Sequence, residues 1–572
     1  MNKGGTVPEP KCAPVDPRRI HAHAIKTAFT YPTAVLNNLI TLYSQANLLS
    51  YAVRLFHQIP SPNVVSWTAL ISAHANTHLS LRYFISMLSH PTLPNQRTFA
   101  SLFKTCASLS HISFGLQLHS LSFKLSLAHL PFSGSALVSF YCRCRLPVEA
   151  RKVFDGISQR DEVCYAAVIV GLAQNSRSTD ALSLFADMRS AGIGSTMYSV
   201  SGALRAVAEV AALEQCRIIH AHAVVTGLDL NVVVGTALVD GYGKSGFVSD
   251  AHCVFCRLLP DVNIVGWNTM MAAYAQQGDK QSVLELFSEM ADHGFVADEY
   301  NFLAILTAFS NAGSLPEAQK WLNSMKLHYG LEPGIEHYTC VVGAMARAGQ
   351  LEEAKHLAMT MPFEPDAAVW RTLLSACAVH GAADMACVVG QRLLELDPQD
   401  DSAYAILANV HAVAGKWEQV AQVRKQMKDR RVRKEGGQSW IEVRGEVHVF
   451  LAGDRRHERT MEIYAKLTDL MEEIRKLGYV EVSDAMLHEV EAAEKREALW
   501  YHSEKLAVAF GLISGAALPG KPLRVVKNLR ICRDCHEAFK YMSRVIEREI
   551  IVRDVNRYHR FIDGICTCGD YW

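Results

Sequence analysis

No run of about 18 consecutive apolar residues occurs in the chain, so a membrane-spanning helix is not expected. Net charge is also missing: 57 Lys and Arg balance 57 Asp and Glu. That balance excludes a generic nucleic-acid coat, which would bind through phosphates. Proline is sparse, 19 of 572 residues, and 49% of the chain is apolar, which excludes widespread disorder. Residues 1–19 carry neither the apolar core of a secretory signal nor the one-sided charge of a transit peptide, so any targeting segment is expected to be minimal. Eleven of the 15 cysteines fall singly or on helical patterns before residue 400. That spacing fits buried thiols and not a secreted disulfide framework.

A chain of 572 residues is too long for one core, so several domains or a repeat array are expected. Repeats are present. Arg19-Ile-His-Ala-His-Ala returns as Gly115-Leu-Gln-Leu-His-Ser and Cys216-Arg-Ile-Ile-His-Ala-His-Ala. Ala150-Arg-Lys-Val-Phe returns as Ala52-Val-Arg-Leu-Phe and Ala251-His-Cys-Val-Phe, and Val64-Val-Ser-Trp-Thr-Ala-Leu-Ile as Ile264-Val-Gly-Trp-Asn-Thr-Met-Met. Units of 31 to 36 residues cycle through three flavours. Within each, apolar residues fall at i, i+3, i+4 and i+7 in two stretches, broken at points such as Ala173-Gln-Asn and Tyr274-Ala-Gln-Gln-Gly. This is a helical hairpin repeated head to tail, too small to bury its own face alone. The expected fold is an all-α right-handed superhelical solenoid from about residue 18 to 366, with two degenerate helical pairs to about 435.

The periodicity changes at Gln438-Ser-Trp-Ile-Glu-Val-Arg-Gly-Glu-Val-His-Val-Phe, which reads as a β-hairpin about Arg-Gly. A helix is expected near Glu462–Lys476 and another near 496–512. Strands are expected at Leu523–Val526 and Glu549–Val552. A C-terminal α/β domain follows from these elements. From Lys495 to Trp572 there are 14 basic and 9 acidic residues, a local excess that could meet a polyanion.

This last segment also holds His502-Ser-Glu504 and Cys532-Arg-Asp-Cys535. His-x-Glu followed by Cys-x-x-Cys resembles the pattern of zinc deaminases acting on nucleobases. There one His and two Cys hold the metal, and a Glu that is not a ligand moves protons. His502, Cys532 and Cys535 take the ligand roles and Glu504 the proton-transfer role; a structural zinc knuckle would instead close with a fourth protein ligand. Other clusters mean less. Cys253-x-x-Cys256 and Cys142/Cys144 sit on repeat helices without a second pair, and His21/His23 and His220/His222 recur at one repeat position, so helix packing is expected of all of them.

Two-helix units of about 34 residues fit tetratricopeptide repeats, which bind peptides, or pentatricopeptide repeats, which bind single-stranded RNA one base per unit. The three-flavour cycle and the Trp phrase resemble the plant PLS class of pentatricopeptide repeat proteins. The ending resembles that family's DYW domain, through His502-Ser-Glu-Lys-Leu-Ala-Val-Ala-Phe-Gly, Lys527-Asn-Leu-Arg-Ile-Cys, Arg548-Glu-Ile-Ile-Val-Arg-Asp and Asp570-Tyr-Trp. The resemblance implies an N-terminal segment with a partial repeat at 1–32, about ten repeats over 33–366, an E-type region at 367–435 and a cytidine deaminase domain at 436–572. It implies two zinc ions, the second held by His536, His559, Cys566 and Cys568 in a structural role. Two departures stand out. Gly436-Gly437 replace the usual Pro-Gly, and Tyr558-His559-Arg560-Phe561 keeps one of the usual two histidines.

In the family, base choice rests on the fifth and last residues of each repeat. Asp, acceptor-only, suits the imino N–H of guanine and uracil, whereas Asn suits adenine and cytosine. The register pairs Asn37 with Asn63 (pyrimidine), Thr68 with Asn95 (adenine), Ser135 with Asp161 (guanine) and Ser201 with Asn231 (adenine). It continues with Thr236 and Asn263 (adenine), Asn268 and Asp298 (uracil), and Thr339 and Asp366 (guanine). Other repeats are silent. With the last repeat four nucleotides before the edited cytidine, the expected target is 5′-Y-A-n-G-n-A-A-U-n-G-n-n-n-C-3′.

The resemblance thus implies a site-specific C-to-U RNA editing factor of a plant mitochondrion, or alternatively a chloroplast. Its partners would be single-stranded organellar RNA and small organellar accessory proteins, with no membrane and no DNA. A non-catalytic sequence-specific RNA-binding factor that recruits another deaminase, or stabilises or processes a transcript, is the alternative.

Overall fold

The computed structural model describes residues 16–27, 32–259, 261–433, 436–481, 499–515, 521–555 and 557–570. The chain divides into two compact units, Met1–Ala206 and Val207–Trp572. Described residues up to Asp429 are helical pairs joined by short turns, and strands begin only at Gln438. Glu162–Gln174 with Ser178–Ser190 is one such pair in the first unit, and Ile264–Gln276 with Lys280–Asp292 one in the second. Each hairpin turns through a residue in the left-handed region, Ser176 (φ 55°) in the former and Gly278 (φ 74°) in the latter. Glycine takes that conformation without a Cβ penalty.

The repeated phrases explain one another once folded. Trp67 meets Phe56 at 4.7 Å between ring centroids, and Trp267 meets Phe255 at 4.8 Å. In the flavour without Trp, Tyr165 meets Phe154 at 5.0 Å. The Trp phrase is therefore the packing partner of the Val-Phe phrase before it, and both tryptophans are buried. The recurring histidines also pack: His21, His119 and His220 each place Nδ1 2.7 to 2.9 Å from the hydroxyl of a tyrosine 22 residues on. The packing expectation fails at two places, one of them His23, which is exposed. Cys253 and Cys256 are exposed, because the helix Val248–Leu258 buries Ala251, Val254, Phe255 and Leu258 on its other face.

Two helical pairs, Ala367–Val379 with Ala383–Leu396 and Asp401–Val413 with Trp417–Asp429, follow the repeats. Then come β1 (Gln438–Val443) and β2 (Glu446–Leu451), the helix Thr460–Lys476, the helix Ser503–Ser514, β3 (Leu523–Lys527), the helix Arg533–Val545, β4 (Ile550–Arg553), β5 (Tyr558–Ile562) and β6 (Ile565–Cys566). The strands form one sheet in the order β2-β1-β3-β4-β5-β6, with β3 and β4 parallel and the other pairs antiparallel. Leu467 and Ile474, Leu506 and Phe510, and Phe539 and Met542, from the three helices in turn, share one core with Val525 and Val552 of the sheet. The helix expected at 496–512 begins at Ser503, and residues 482–498, like Tyr571-Trp572, lie outside the described residues.

Within the second unit, charged residues of the sheet hold helix ends of opposite sign. Glu442 accepts from the backbone N–H groups of Glu214 and Gln215, at 2.8 and 2.9 Å, in the first turn of the helix Leu213–Val225. Arg553 donates to the carbonyls of Ala208 and Lys244, both at 3.2 Å. Arg524 donates to Ser245 O, and its guanidinium lies 3.6 Å over the Phe247 ring. A carboxylate at a helix N-terminus and cations at C-terminal carbonyls both suit the helix dipole. No helix among the described residues is long and apolar enough to cross a membrane.

Candidate metal centres and nucleic-acid interface

His502 and Cys532 are the N-cap residues of the two helices that begin at Ser503 and Arg533. Capping by Cys532 is direct: its Sγ accepts from Cys535 N at 3.4 Å. That turn brings Cys532 and Cys535 together, and each sulfur lies 3.4 Å from His502 Nδ1. Tetrahedral zinc with ordinary Zn–S and Zn–N bonds requires donor separations of about 3.5 Å. His502, Cys532 and Cys535 therefore fit zinc both as donor types and in spacing. The donor atoms of these three and of Glu504 lie within 4.8 Å of one another.

Glu504 has no solvent exposure. Burial alone would push its carboxyl up, but Lys527 and His502 outweigh it and hold the group at about 2. Lys527 Nζ lies 2.6 Å from both carboxylate oxygens. Cys532 is held well below the ordinary thiol range by its sulfur contact with Cys535, against the effect of burial. Glu504 is thus a carboxylate beside a thiolate-prone Cys532, while burial pushes the Cys535 thiol well above its ordinary range.

His536, His559, Cys566 and Cys568 form a second cluster with donor atoms within 4.8 Å. His536 Nε2 lies 3.2 Å from Cys568 Sγ, and Cys566 Sγ lies 3.8 Å from His559 Nδ1. The surviving histidine of Tyr558-His559-Arg560-Phe561 is the one that points inward: His559 is buried and Arg560 exposed. Two Cys and two His fit a closed tetrahedral zinc site. Arg533, between the first pair of cysteines, is exposed.

The repeat positions present a recurring arrangement. Asn63, Asn95, Asp161, Asn231, Asn263, Asp298 and Asp366 are all N-caps, each side chain accepting from backbone N–H groups of the helix that follows. Their residue type thus has a local cause as well, since Asn and Asp lead the N-cap preferences. The paired fifth residues sit on the first helix of the same repeat, two helices before the one that is capped. Asn268 Nδ2 donates to Asp298 Oδ2 at 2.9 Å, so that pair forms one polar edge. Thr68 Oγ1 lies 2.7 Å from Thr98 Oγ1, which donates to Asn95 Oδ1. Ser201 and Thr339 turn their hydroxyls onto their own helix, donating to Tyr198 O and Ile335 O. Thr236 is half-buried, whereas Asn37 and Ser135 are buried, 5% and 7% exposed. A groove of about 930 Å³ in the first unit is lined by Thr68, Asn95, Arg97, Lys104, Phe132 and Ser135. One of about 580 Å³ in the second is lined by Lys244, Asn268, Thr269 and Tyr300, among others.

Family models match along the chain. Pentatricopeptide repeats match residues 135–161, 163–193, 236–259, 262–309 and 336–361, the E motif 380–442, and the DYW family of nucleic acid deaminases 478–572. A putative pentatricopeptide repeat-containing protein of Arabidopsis thaliana, At5g52630, is 38% identical over 557 residues, 97% of this chain and 94% of the relative. The chain belongs to the pentatricopeptide repeat family, in its PLS class with E and DYW domains.

A second relative from the same plant, At4g33170, is 39% identical over 558 residues, but this pentatricopeptide repeat chain spans only 56% of its length. Names of further relatives carry the words mitochondrial or chloroplastic. Among solved structures, the pentatricopeptide repeat protein PPR10 in complex with an 18-nt psaJ RNA element matches with a TM-score of 0.55 at 18% identity. It covers 71% of this chain and 61% of PPR10, and shows the helical solenoid fold.

Sequence reasoning missed the residues that hold the first cluster of candidate ligands in place. Lys505 donates to Asp534 Oδ2 at 2.6 Å, and Tyr479 OH to Asp534 Oδ1 at 2.6 Å, all three buried. Lys505 follows Glu504, and Asp534 lies between the two cysteines. A buried Lys–Asp pair welds the two helix starts together. The available signal was a lysine and an aspartate adjacent to chemistry-bearing residues on apolar helix faces.

Proposed function

We propose that this pentatricopeptide repeat protein is a site-specific organellar RNA editing factor that binds single-stranded RNA and deaminates one cytidine to uridine. In this reading the repeats span 33–366, the E region 367–435 and the deaminase domain 436–572. The observation that carries the reading is the meeting of His502, Glu504, Cys532 and Cys535 within 4.8 Å at two helix starts. His502, Cys532 and Cys535 would hold zinc, which when bound acts as a Lewis acid and lowers the pKa of water to about 7.

The chain's own residues do the rest. Glu504, kept ionised by Lys527, accepts the proton of the attacking water and passes it to the base, as cytosine and water become uracil and ammonia. Burial of Glu504 keeps bulk water from competing for that proton. His536, His559, Cys566 and Cys568 would hold a second, structural zinc that fixes the C-terminal strands. In the repeats, an Asn or Asp cap with its partner on the first helix of the same repeat offers one polar edge per base, as Asn268 and Asp298 do. RNA is the substrate and DNA is not. The mitochondrion is the proposed compartment, with the chloroplast as the alternative, and small organellar accessory proteins are candidate partners.

Purified zinc-loaded protein incubated with RNA carrying YAnGnAAUnGnnnC tests the reading. Uridine at the final position in that RNA, and none in a scrambled RNA, is the expected result. Binding without conversion would support the recruiting alternative, and no binding would defeat the register of repeats.

A further inference from the structure

Lys527 closes β3, opposite Ser439 of β1. Its ammonium donates to both oxygens of Glu504, and the side chains are 8% and 0% exposed. Ser503 Oγ donates to Glu504 Oε2 at 3.1 Å and lies 2.9 Å from Ser439 Oγ. Glu504 is therefore gripped by Lys527 of β3 and by Ser503 at its own helix start, and Ser439 of β1 backs Ser503. Yet its oxygen lies within 4.8 Å of the donor atoms of His502, Cys532 and Cys535. Carboxylates are ordinary zinc ligands, and four protein ligands close a site and leave no place for water. A buried carboxylate without its counter-ion would be drawn towards a divalent cation.

We propose that Lys527 is a positioning residue that holds Glu504 out of the metal's coordination sphere, leaving three protein ligands and one open position. The proposal rests on the deaminase reading above and gives Lys527 a task beyond keeping Glu504 ionised. A lysine suits the task because its compact ammonium can face both carboxylate oxygens at once.

The test uses the full chain with cobalt(II) in place of zinc, and follows the visible absorption as azide is added. Azide enters an open coordination position and changes the spectrum, whereas a site closed by four protein ligands does not respond. Wild type and Lys527→Arg should respond, Lys527→Met should not, and Lys527→Met/Glu504→Ala should respond again. Conversion of target RNA should fall about a hundredfold in Lys527→Met, the scale of one general acid–base contribution. Should Lys527→Met fail to fold, Lys527→Gln takes its place, and a weakened azide response there supports the proposal. A wild-type response in the folded lysine variant overturns it, as does a wild-type protein blind to azide. Absence of RNA conversion in wild type, with the azide pattern as expected, would sink the deaminase reading and leave Lys527 in its role.

Discussion

Lys505 Nζ lies 2.6 Å from Asp534 Oδ2 in an ion pair that solvent does not reach, with side-chain exposures of 0% and 2%. It joins the residue after Glu504 to the residue between Cys532 and Cys535. Removing one partner leaves the other charge buried and uncompensated, at a cost of about 3–5 kcal/mol. Asp534→Ala should lower the melting temperature of the deaminase region and its metal content together. Lys505→Met/Asp534→Leu should recover most of the stability, as followed by thermal unfolding.

Caps and base reading can be separated at Asn95. Asp is as good an N-cap as Asn, so Asn95→Asp should leave stability unchanged. The same change swaps an amide for an acceptor-only carboxylate. Binding should therefore shift from adenine towards guanine at the second position of the target, in affinity measurements with RNAs differing at that base. Asn95→Ala should cost about 1 kcal/mol of stability and weaken the preference altogether.

Metal counting distinguishes the two clusters. Wild-type protein should carry about two zinc ions per chain, given one open and one closed tetrahedral donor set. Cys532→Ser and Cys566→Ser should each lose one, by elemental analysis. The loss at Cys566 should lower the melting temperature more, because the strands β5 and β6 it joins are short. At Cys532 the Lys505–Asp534 pair still holds the helices.

Much of this organisation is legible in the sequence, and the exceptions have physical causes. The repeated Trp and Val-Phe phrases are detectable because they are each other's packing partners, as Trp267 and Phe255 are. The β-hairpin was announced by Arg444-Gly445, both at positive φ. Strands β5 and β6 were not foreseen, although Asp563-Gly564 between them is a strong hairpin signal. His559 and Cys566, candidate metal ligands, interrupt the apolar alternation by which strands this short are recognised. Ligand types at the metal clusters follow from spacing and resemblance, whereas Lys527 comes to Glu504 through a sheet register that no local pattern encodes.

The contact of Glu442 with the helix Leu213–Val225 should depend on pH. Burial lifts its carboxyl to about 7, against the pull of the two N–H groups it accepts from. The raised value means that the docked form holds a proton that the undocked form releases. Docking is therefore fully favoured below the ordinary carboxylate range, and weakens as pH rises from there through about 7. The slope should stay below tenfold per pH unit, the limit for one proton. Intrachain energy transfer between labels on a repeat helix and the deaminase region measures it, and Glu442→Gln should abolish the slope.

The central claim, that the repeats select an RNA and Glu504 drives its deamination, is tested most directly by co-expressing the chain in bacterial cells with RNA bearing YAnGnAAUnGnnnC. The RNA is then sequenced. Conversion of the final cytidine by wild type, and none by a Glu504→Ala variant that still binds the RNA, is the predicted result. Conversion that persists in Glu504→Ala would contradict it.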